Sequence, residues 1–159
     1  MQTPHPVTAT INGREETFEV IGLESLMDAL RNRLHLSGTK EGCREGECGA
    51  CTVLLDGKPI NACIFIARAA EGREIETIEG LQDDLSSRIK QAIVETSGVQ
   101  CGYCTPGIVV MLSGLLRRVE APNEALIREA LSGNICRCTG YAQIVDAVLD
   151  VVEQKAAAS

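Results

Sequence analysis

Eight cysteines constrain this chain more than any other feature of its sequence. They form two groups of four, and the groups differ in spacing, so neither is a repeat of the other. The amino terminus has neither the basic-then-apolar layout of a secretory signal nor a twin arginine, which predicts a cytoplasmic protein. In that reducing compartment, eight cysteines indicate metal or redox ligation rather than four structural disulfides.

The first cysteine group begins with a C-x4-C-x2-C run and comprises Cys43, Cys48, Cys51 and Cys63. This is the spacing of plant-type ferredoxins, in which four thiolates hold a 2Fe-2S cluster. Three glycines accompany the run, namely Gly42, Gly46 and Gly49. Because glycine lacks a Cβ and tolerates positive φ, these residues are expected to let backbone N-H groups approach the cluster. Tetrahedral zinc is the alternative, although zinc sites usually pair two short C-x2-4-C knuckles.

The second group forms a C-x2-C and a C-x-C pair and comprises Cys101, Cys104, Cys136 and Cys138. Each pair precedes a predicted helix. Thr105 with Pro106 predicts an N-cap and a first-turn proline, while Thr139 with Gly140 predicts the cap of the last helix. Two helix N-termini would favour an anionic group. Spacing alone leaves zinc open at this site, and the neighbouring ferredoxin-type loop favours iron.

Hydrophobic periodicity divides the chain into two domains. Alternation on both sides of Asn12-Gly13 predicts a hairpin with a type I′ turn, residues 25–34 form a predicted capped helix, and 52–60 and 74–78 add strands. The period then becomes helical, with predicted helices near residues 85–93, 108–116, 123–132 and 141–153. These patterns predict an α+β domain over residues 1–79 and a small four-helix bundle over residues 80–159.

Charge and hydropathy exclude two classes of partner. The formal net charge is -7, and no basic stretch is longer than Arg117-Arg118, so we expect no nucleic-acid binding. The longest apolar run, residues 107–112, is too short to span a bilayer, so we expect no membrane insertion.

We find no candidate catalytic residue in the sequence. His5 and His35 lie outside any pattern that would support acid-base chemistry, and no Ser-His-Asp or paired-carboxylate arrangement is present. Arg137, between the last two cysteines, is either a solvated side chain or a charge that tunes the metal site.

Four segments together closely resemble one family. GCREGECGACTVLLDG, Cys63, QCGYCTPG and GNICRCTGY resemble the small iron-sulfur subunit of the xanthine dehydrogenase and aldehyde oxidase family of molybdenum hydroxylases. The likeness spans nearly the whole chain. It implies a plant-type ferredoxin-like (β-grasp) domain followed by an all-α four-helix bundle domain, each with one 2Fe-2S cluster. It also implies that the second quartet holds the cluster proximal to molybdenum and the first quartet holds the distal cluster.

The same resemblance implies partners and a direction for the electrons. A large molybdopterin-binding subunit would deliver electrons through the proximal and distal clusters to FAD on a medium subunit, in a heterotrimer that can itself dimerise. Gln100 and Cys138 correspond to residues that contact the pterin. For Gln100, the alternative is a buried amide that serves the domain interface.

Two other functions are compatible with the cysteines. A free two-cluster ferredoxin-type carrier would account for the acidity, because acidic carriers dock on basic partners. A structural zinc protein would bind partners without redox chemistry.

Overall fold

Two β-hairpins and a short fifth strand form the sheet of the first half. In the computed structural model, which describes residues 3–157, the strands are β1 (Pro4–Ile11), β2 (Arg14–Ile21), β3 (Thr52–Leu55), β4 (Lys58–Asn61) and β5 (Glu74–Glu76). Their order is β2-β1-β5-β3-β4, with β1 parallel to β5 and the other neighbours antiparallel. Both predicted hairpins are confirmed, and the last strand ends two residues before residue 78.

The first hairpin turn has the predicted chemistry. Asn12 and Gly13 both have positive φ, 52° and 77°, as a type I′ turn requires. The Asn12 side chain also accepts a hydrogen bond from the Thr77 backbone N-H at 2.8 Å and donates to the Thr77 hydroxyl at 3.0 Å. The turn is therefore fastened to the segment that leaves the sheet after β5.

Helix α1 (Leu26–Asn32) covers one face of the sheet. Ser25 caps it, because its hydroxyl accepts from the Asp28 N-H at 3.1 Å and donates to the Asp28 carboxylate at 2.8 Å. The predicted helix is confirmed, although it ends at Asn32 rather than at residue 34. Its apolar face is fully buried with the sheet in one core, which includes Val7, Phe18, Val20, Leu26, Leu30, Val53 and Ile75. Each such side chain contributes about 1.5–3 kcal/mol.

Four further helices form the second half: α2 (Asp84–Glu95), α3 (Thr105–Arg118), α4 (Glu124–Leu131) and α5 (Ala142–Ala157). All four lie where the periodicity predicts helices, and they share a core that includes Ile89, Ile108, Leu112, Ile127, Ile144 and Val148. Over the described residues, the architecture is α+β. No helix within residues 3–157 combines the length and the apolar character needed to cross a bilayer.

Two predicted helix starts are wrong by one residue. Cys104, not Thr105, is the N-cap of α3: its backbone is already helical, and its carbonyl accepts from the Ile108 N-H at 3.1 Å. Tyr141 precedes α5 with φ of 70°, so it is not the first residue of that helix. In both cases the shape of the adjoining cysteine loop decides where the helix begins.

Helix α3 joins the two halves. Its apolar surface extends nearly all round because it packs on α2 and α4 and also on β3 and β4. Its Gly114 lies so close to β3 that a Cβ would be 2.8 Å from Leu54 Cδ2. Arg117 donates to the Glu76 carboxylate at 2.8 and 3.0 Å and to Asp83 at 2.7 Å. A domain boundary at residues 79 and 80 stays a prediction.

Candidate metal centres

The first four cysteines converge at one end of the sheet. Cys43 and Cys48 lie in the loop before β3, Cys51 directly precedes β3, and Cys63 follows β4. Antiparallel pairing of β3 with β4 brings Cys51 and Cys63 together, since Thr52 is opposite Asn61 in the register. The Cys48 sulfur accepts from the Cys43 N-H at 3.4 Å, and the Cys51 sulfur accepts from the Cys63 N-H at 3.4 Å.

The two pairs of this quartet have different surroundings. The Cys43 sulfur accepts backbone N-H groups from Glu45 at 3.4 Å, Cys48 at 3.4 Å and Glu47 at 3.3 Å, and these bonds lower the pKa of its thiol to about 6. Burial raises the pKa of Cys51 to about 12. Cys43 is therefore prepared as a thiolate, whereas Cys51 becomes one when a metal replaces its proton.

The glycines of this loop act partly as predicted. Gly46 and Gly49 have positive φ, 80° and 67°, whereas Gly42 does not. At Gly42 the requirement is space, because a Cβ would lie 2.5 Å from the Cys48 sulfur. The N-H groups that reach sulfur belong to Cys43, Glu45, Glu47 and Cys48, which flank the glycines, and to Cys63 after β4. The glycines thus shape the loop, and their neighbours supply the donors.

Arg44 anchors this loop and had no recognisable signal in the sequence. It has φ of 60°, and its guanidinium donates to both oxygens of Asp28 at 2.9 and 3.1 Å and to Glu41 at 2.6 Å. Burial alone would raise the pKa of Asp28, but hydrogen bonds from Arg44 and Ser25 outweigh it and lower the pKa. The cysteine loop is therefore tied to the first turn of α1.

Replacing Arg44 with glutamine should speed release of iron from the first site to a chelator, by at most about fivefold as for an exposed ion pair. Bleaching of visible absorption after chelator addition measures the rate. Arg128→Gln is the matched control, because Arg128 makes a similarly exposed ion pair with Glu124, at 2.7 Å, away from the cysteines. Equal rates in the two variants would contradict an anchoring role for Arg44.

The second four cysteines lie in the loops before α3 and α5. The sulfurs of Cys101 and Cys138 are 3.7 Å apart, and Cys104 interacts with Cys136. Cys101 and Cys138 are exposed, whereas Cys104 and Cys136 are partly buried. Burial raises the pKa of Cys104 to about 12. One edge of this quartet therefore faces the surface, and the other lies against the helices.

Thr139 and Tyr141 shape the loop of Cys136. The Thr139 hydroxyl donates to the Cys136 sulfur at 3.0 Å and accepts from the Tyr141 N-H at 3.3 Å, directly before α5. Burial alone would raise the pKa of Cys136, but the hydrogen bonds from Thr139 help to lower it. The Tyr141 hydroxyl accepts from the Cys136 N-H at 2.7 Å and donates to the Asn134 carbonyl at 3.0 Å.

Both quartets fit a two-iron cluster. Such a cluster takes four thiolates, two on each iron, and its negative charge is offset by N-H groups close to the sulfurs. Each quartet supplies four cysteines without a disulfide, and backbone N-H groups reach the sulfurs of Cys43, Cys48, Cys51 and Cys136.

Gln100 and Arg137 flank the exposed pair of thiols. Gln100 is exposed, so its interpretation as a buried interface amide is wrong, and its side chain donates to the Cys138 carbonyl at 3.1 Å. A contact between Gln100 and a pterin stays a prediction. Arg137 is also exposed, and it lines a cavity of about 220 Å³ together with cysteines of both quartets.

Direct hydrogen bonds join the loop of the first quartet, residues 33–51, to the two loops of the second quartet, residues 96–104 and 132–141. The Ile135 N-H donates to the Cys48 carbonyl at 2.9 Å, and the Tyr103 hydroxyl donates to the Glu41 carbonyl. The Asn134 amide adds a third bond. Sequence spacing contains no signal for these contacts, because they depend on how α3 packs against the sheet and α4 against α3.

Comparisons with known proteins identify both halves. A family model described as a 2Fe-2S iron-sulfur cluster binding domain matches residues 9–81, and one described as a [2Fe-2S] binding domain matches residues 77–149. The two matches together cover most of the chain, and each contains one complete cysteine quartet.

Two relatives of similar length are named as the small or the iron-sulfur-binding subunit of an enzyme. The chain is 43% identical to the nicotine 6-hydroxylase small subunit of Paenarthrobacter nicotinovorans, over 97% of this chain and 96% of the relative. It is 41% identical to the xanthine dehydrogenase iron-sulfur-binding subunit of Escherichia coli, over 94% of this chain and 95% of the relative.

Solved structures show the same arrangement of the chain. Quinoline 2-oxidoreductase from Pseudomonas putida 86 has a chain with a TM-score of 0.90 and 41% identity, covering 97% of both chains. Aldehyde oxidoreductase from Desulfovibrio gigas matches 98% of this chain with a TM-score of 0.89 and 38% identity, but the match is 18% of that longer chain. This protein therefore belongs to the family of iron-sulfur subunits of the xanthine dehydrogenase and aldehyde oxidoreductase type of molybdenum hydroxylases.

Proposed function

We propose that this chain relays electrons from a molybdenum centre on a large molybdopterin-binding subunit, through two 2Fe-2S clusters, to FAD on a medium subunit. The observation that carries the proposal is the gathering of eight free thiols into two quartets, whose loops are joined by a backbone hydrogen bond from the Ile135 N-H to the Cys48 carbonyl. Joined loops hold two redox sites near each other, which a relay requires and a pair of structural metal sites does not.

Each quartet is assigned one cluster. The proposed ligands of the distal cluster are Cys43, Cys48, Cys51 and Cys63. Those of the proximal cluster are Cys101, Cys104, Cys136 and Cys138. A bound 2Fe-2S cluster takes up and releases electrons at a potential set by its surroundings. The chain supplies the thiolates, the N-H groups that offset their negative charge, and a partly buried site at each quartet.

The exposed edge of the second quartet supports its placement next to the molybdenum subunit. Cys101, Cys138 and Gln100 lie at the surface there, and Tyr103 and Ile135, 50% and 56% exposed, line or adjoin the same opening. Apolar side chains around a redox site are stabilised when a partner covers them. We therefore propose that Gln100 and Cys138 meet the pterin of the large subunit.

The names of the relatives, the fold and the number of thiols support the finer features of the proposal. One is named a small subunit and another the gamma subunit of caffeine dehydrogenase from Pseudomonas sp. strain CBB1, which supports partner subunits for this chain. The proposed assembly is a heterotrimer that can itself dimerise. The sheet with α1 and the helices α2 to α5 support a β-grasp domain followed by a four-helix bundle. The many thiols support a cytoplasmic location.

Purification of the native complex should recover two larger chains with this one, and the reduced complex should give two distinguishable electron paramagnetic resonance signals, because the two quartets differ in surroundings. Iron analysis should give about four iron atoms per chain. A colourless protein with about two zinc ions per chain would establish the zinc alternative instead. Recovery only as a monomer with both clusters intact would support the free carrier, which the net charge of -7 favours.

A further inference from the structure

Asn134 joins the two cysteine loops through a buried amide. The residue is 1% exposed, and its Nδ2 donates to the Gly49 carbonyl at 2.9 Å and to the Thr52 hydroxyl at 3.1 Å, across more than eighty residues of sequence. Its Oδ1 is buried without a hydrogen-bond partner among the described residues. An amide retained at this cost is expected to do more than fill space.

The acceptor, Gly49, lies where the loops approach without side chains between them. With φ of 67°, a Cβ on Gly49 would collide with the Gly133 carbonyl and with Asn134, and a Cβ on Gly107 would collide with the Gly49 carbonyl. That carbonyl accepts from the Thr52 N-H at 3.1 Å, the Thr52 hydroxyl at 2.6 Å and the Asn134 amide. Of these three donors, Asn134 alone comes from the other loop.

Both ends of this contact are next to proposed cluster ligands. Gly49 follows Cys48, and Asn134 precedes Cys136 by two residues. The Asn134 carbonyl also accepts from Tyr141, whose hydroxyl accepts from the Cys136 N-H. Asn134 is therefore held relative to the second quartet by the Tyr141 bond to its backbone carbonyl, and relative to the first quartet by the bond from its side-chain amide to Gly49, so a shift at Asn134 moves one set of sulfurs relative to the other.

We propose that Asn134 is a positioning residue for electron transfer between the clusters, and that its amide fixes the separation and relative orientation of the two cysteine quartets. The inference rests on the proposed function, because it requires a cluster at each quartet. In the transfer, one electron leaves the proximal site and the same electron arrives at the distal site, so no further reactant is needed. Both the transfer rate and the magnetic coupling of two reduced clusters depend steeply on their separation.

The test uses the purified holo-complex with Asn134→Ala, which removes the donor. Asn134→Asp is the second variant, because it keeps the shape but places a carboxylate oxygen against the Gly49 carbonyl. Asn61→Ala is the matched control: the Asn61 amide donates to the Gly46 carbonyl at 2.6 Å, which is also a glycine carbonyl of the first loop, but the bond stays within the first half. The readout is the splitting of the electron paramagnetic resonance signals in the fully reduced complex, together with iron content.

We expect wild type and Asn61→Ala to share one splitting, and both Asn134 variants to lose or narrow it while keeping the iron of both clusters. An unchanged splitting in both Asn134 variants would overturn the inference, as would a wild-type complex with both signals and no splitting. Loss of iron from the Asn134 variants would also overturn it, because the amide would then be needed to hold a cluster. A wild-type complex that lacks two signals contradicts the proposed function itself, which separates the two failures.

Discussion

Replacing Cys43 or Cys101 with serine should halve the bound iron, from about four atoms per chain to about two, and should remove a different resonance signal in each variant. Each substitution takes one thiolate from one quartet, and a 2Fe-2S cluster needs all four. Iron analysis, visible absorption and resonance spectra of the reduced complex measure the effect. Cys43→Ser should abolish the distal signal, and Cys101→Ser the proximal one.

Combinations of these substitutions sharpen the test. The sulfurs of Cys101 and Cys138 lie side by side. Replacing both with serine should leave as much bound iron as either single replacement, because the same cluster is lost in each case. The double variant of Cys43 and Cys101 should lose nearly all iron. Arg137→Gln, exposed and within the second loop, is the control that keeps its iron. If either single variant lost both clusters or neither, the division into independent quartets would be wrong.

Replacing Gly49 with alanine should destabilise the protein by about 2–5 kcal/mol. The positive φ of 67° alone costs a residue with a Cβ about 1–2 kcal/mol, and forcing that Cβ against the Gly133 carbonyl and Asn134 adds about 1–3 kcal/mol. The Gly133 carbonyl and the Asn134 Cα are backbone atoms, and the Asn134 Nδ2 is held by its hydrogen bonds to Gly49 and Thr52. Denaturant unfolding of the holo-protein measures the loss, and both clusters should become easier to extract, because Gly49 lies where their loops meet.

Gly72→Ala separates the two contributions. Gly72 has nearly the same φ, 68°, but a Cβ there would meet nothing within 4 Å. This variant should therefore lose only about 1–2 kcal/mol and keep both clusters as firmly as wild type. Equal losses of unfolding free energy in the two variants would mean that backbone strain, not the close approach of the loops, explains why position 49 requires glycine.

Features that depend on neighbours in sequence were predictable. The Asn12-Gly13 turn, the cap at Ser25 and the helical periodicity near residues 85–93 and 108–116 each use local chemistry, and the structure contains all of them. The spacing of the cysteines likewise indicates two unlike metal sites, because ligand spacing in a loop limits which sulfurs can meet.

Features that depend on packing across the two halves were not predictable. The contact of Asn134 with Gly49 joins positions 85 residues apart and depends on the packing of α3 on β3 and β4. The anchoring role of Arg44 likewise depends on how the loop folds back over α1. Thr105 matches the N-cap pattern, but the preceding Cys104 already has a helical backbone, so Cys104 is the N-cap. Periodicity describes which face of an element is apolar, not which loops meet.

The bonds from Asn134 and Ile135 to the first loop also set an order for biosynthesis. A chain leaves the ribosome amino terminus first, so the segment with Cys43, Cys48 and Cys51 is exposed long before its partners at positions 134 and 135 have been made. The bonds that join that loop to residues 134 and 135 can therefore form only once the chain is nearly complete. Iron incorporated during translation would enter a loop that lacks these bonds, whereas iron incorporated after release would enter a loop that has them.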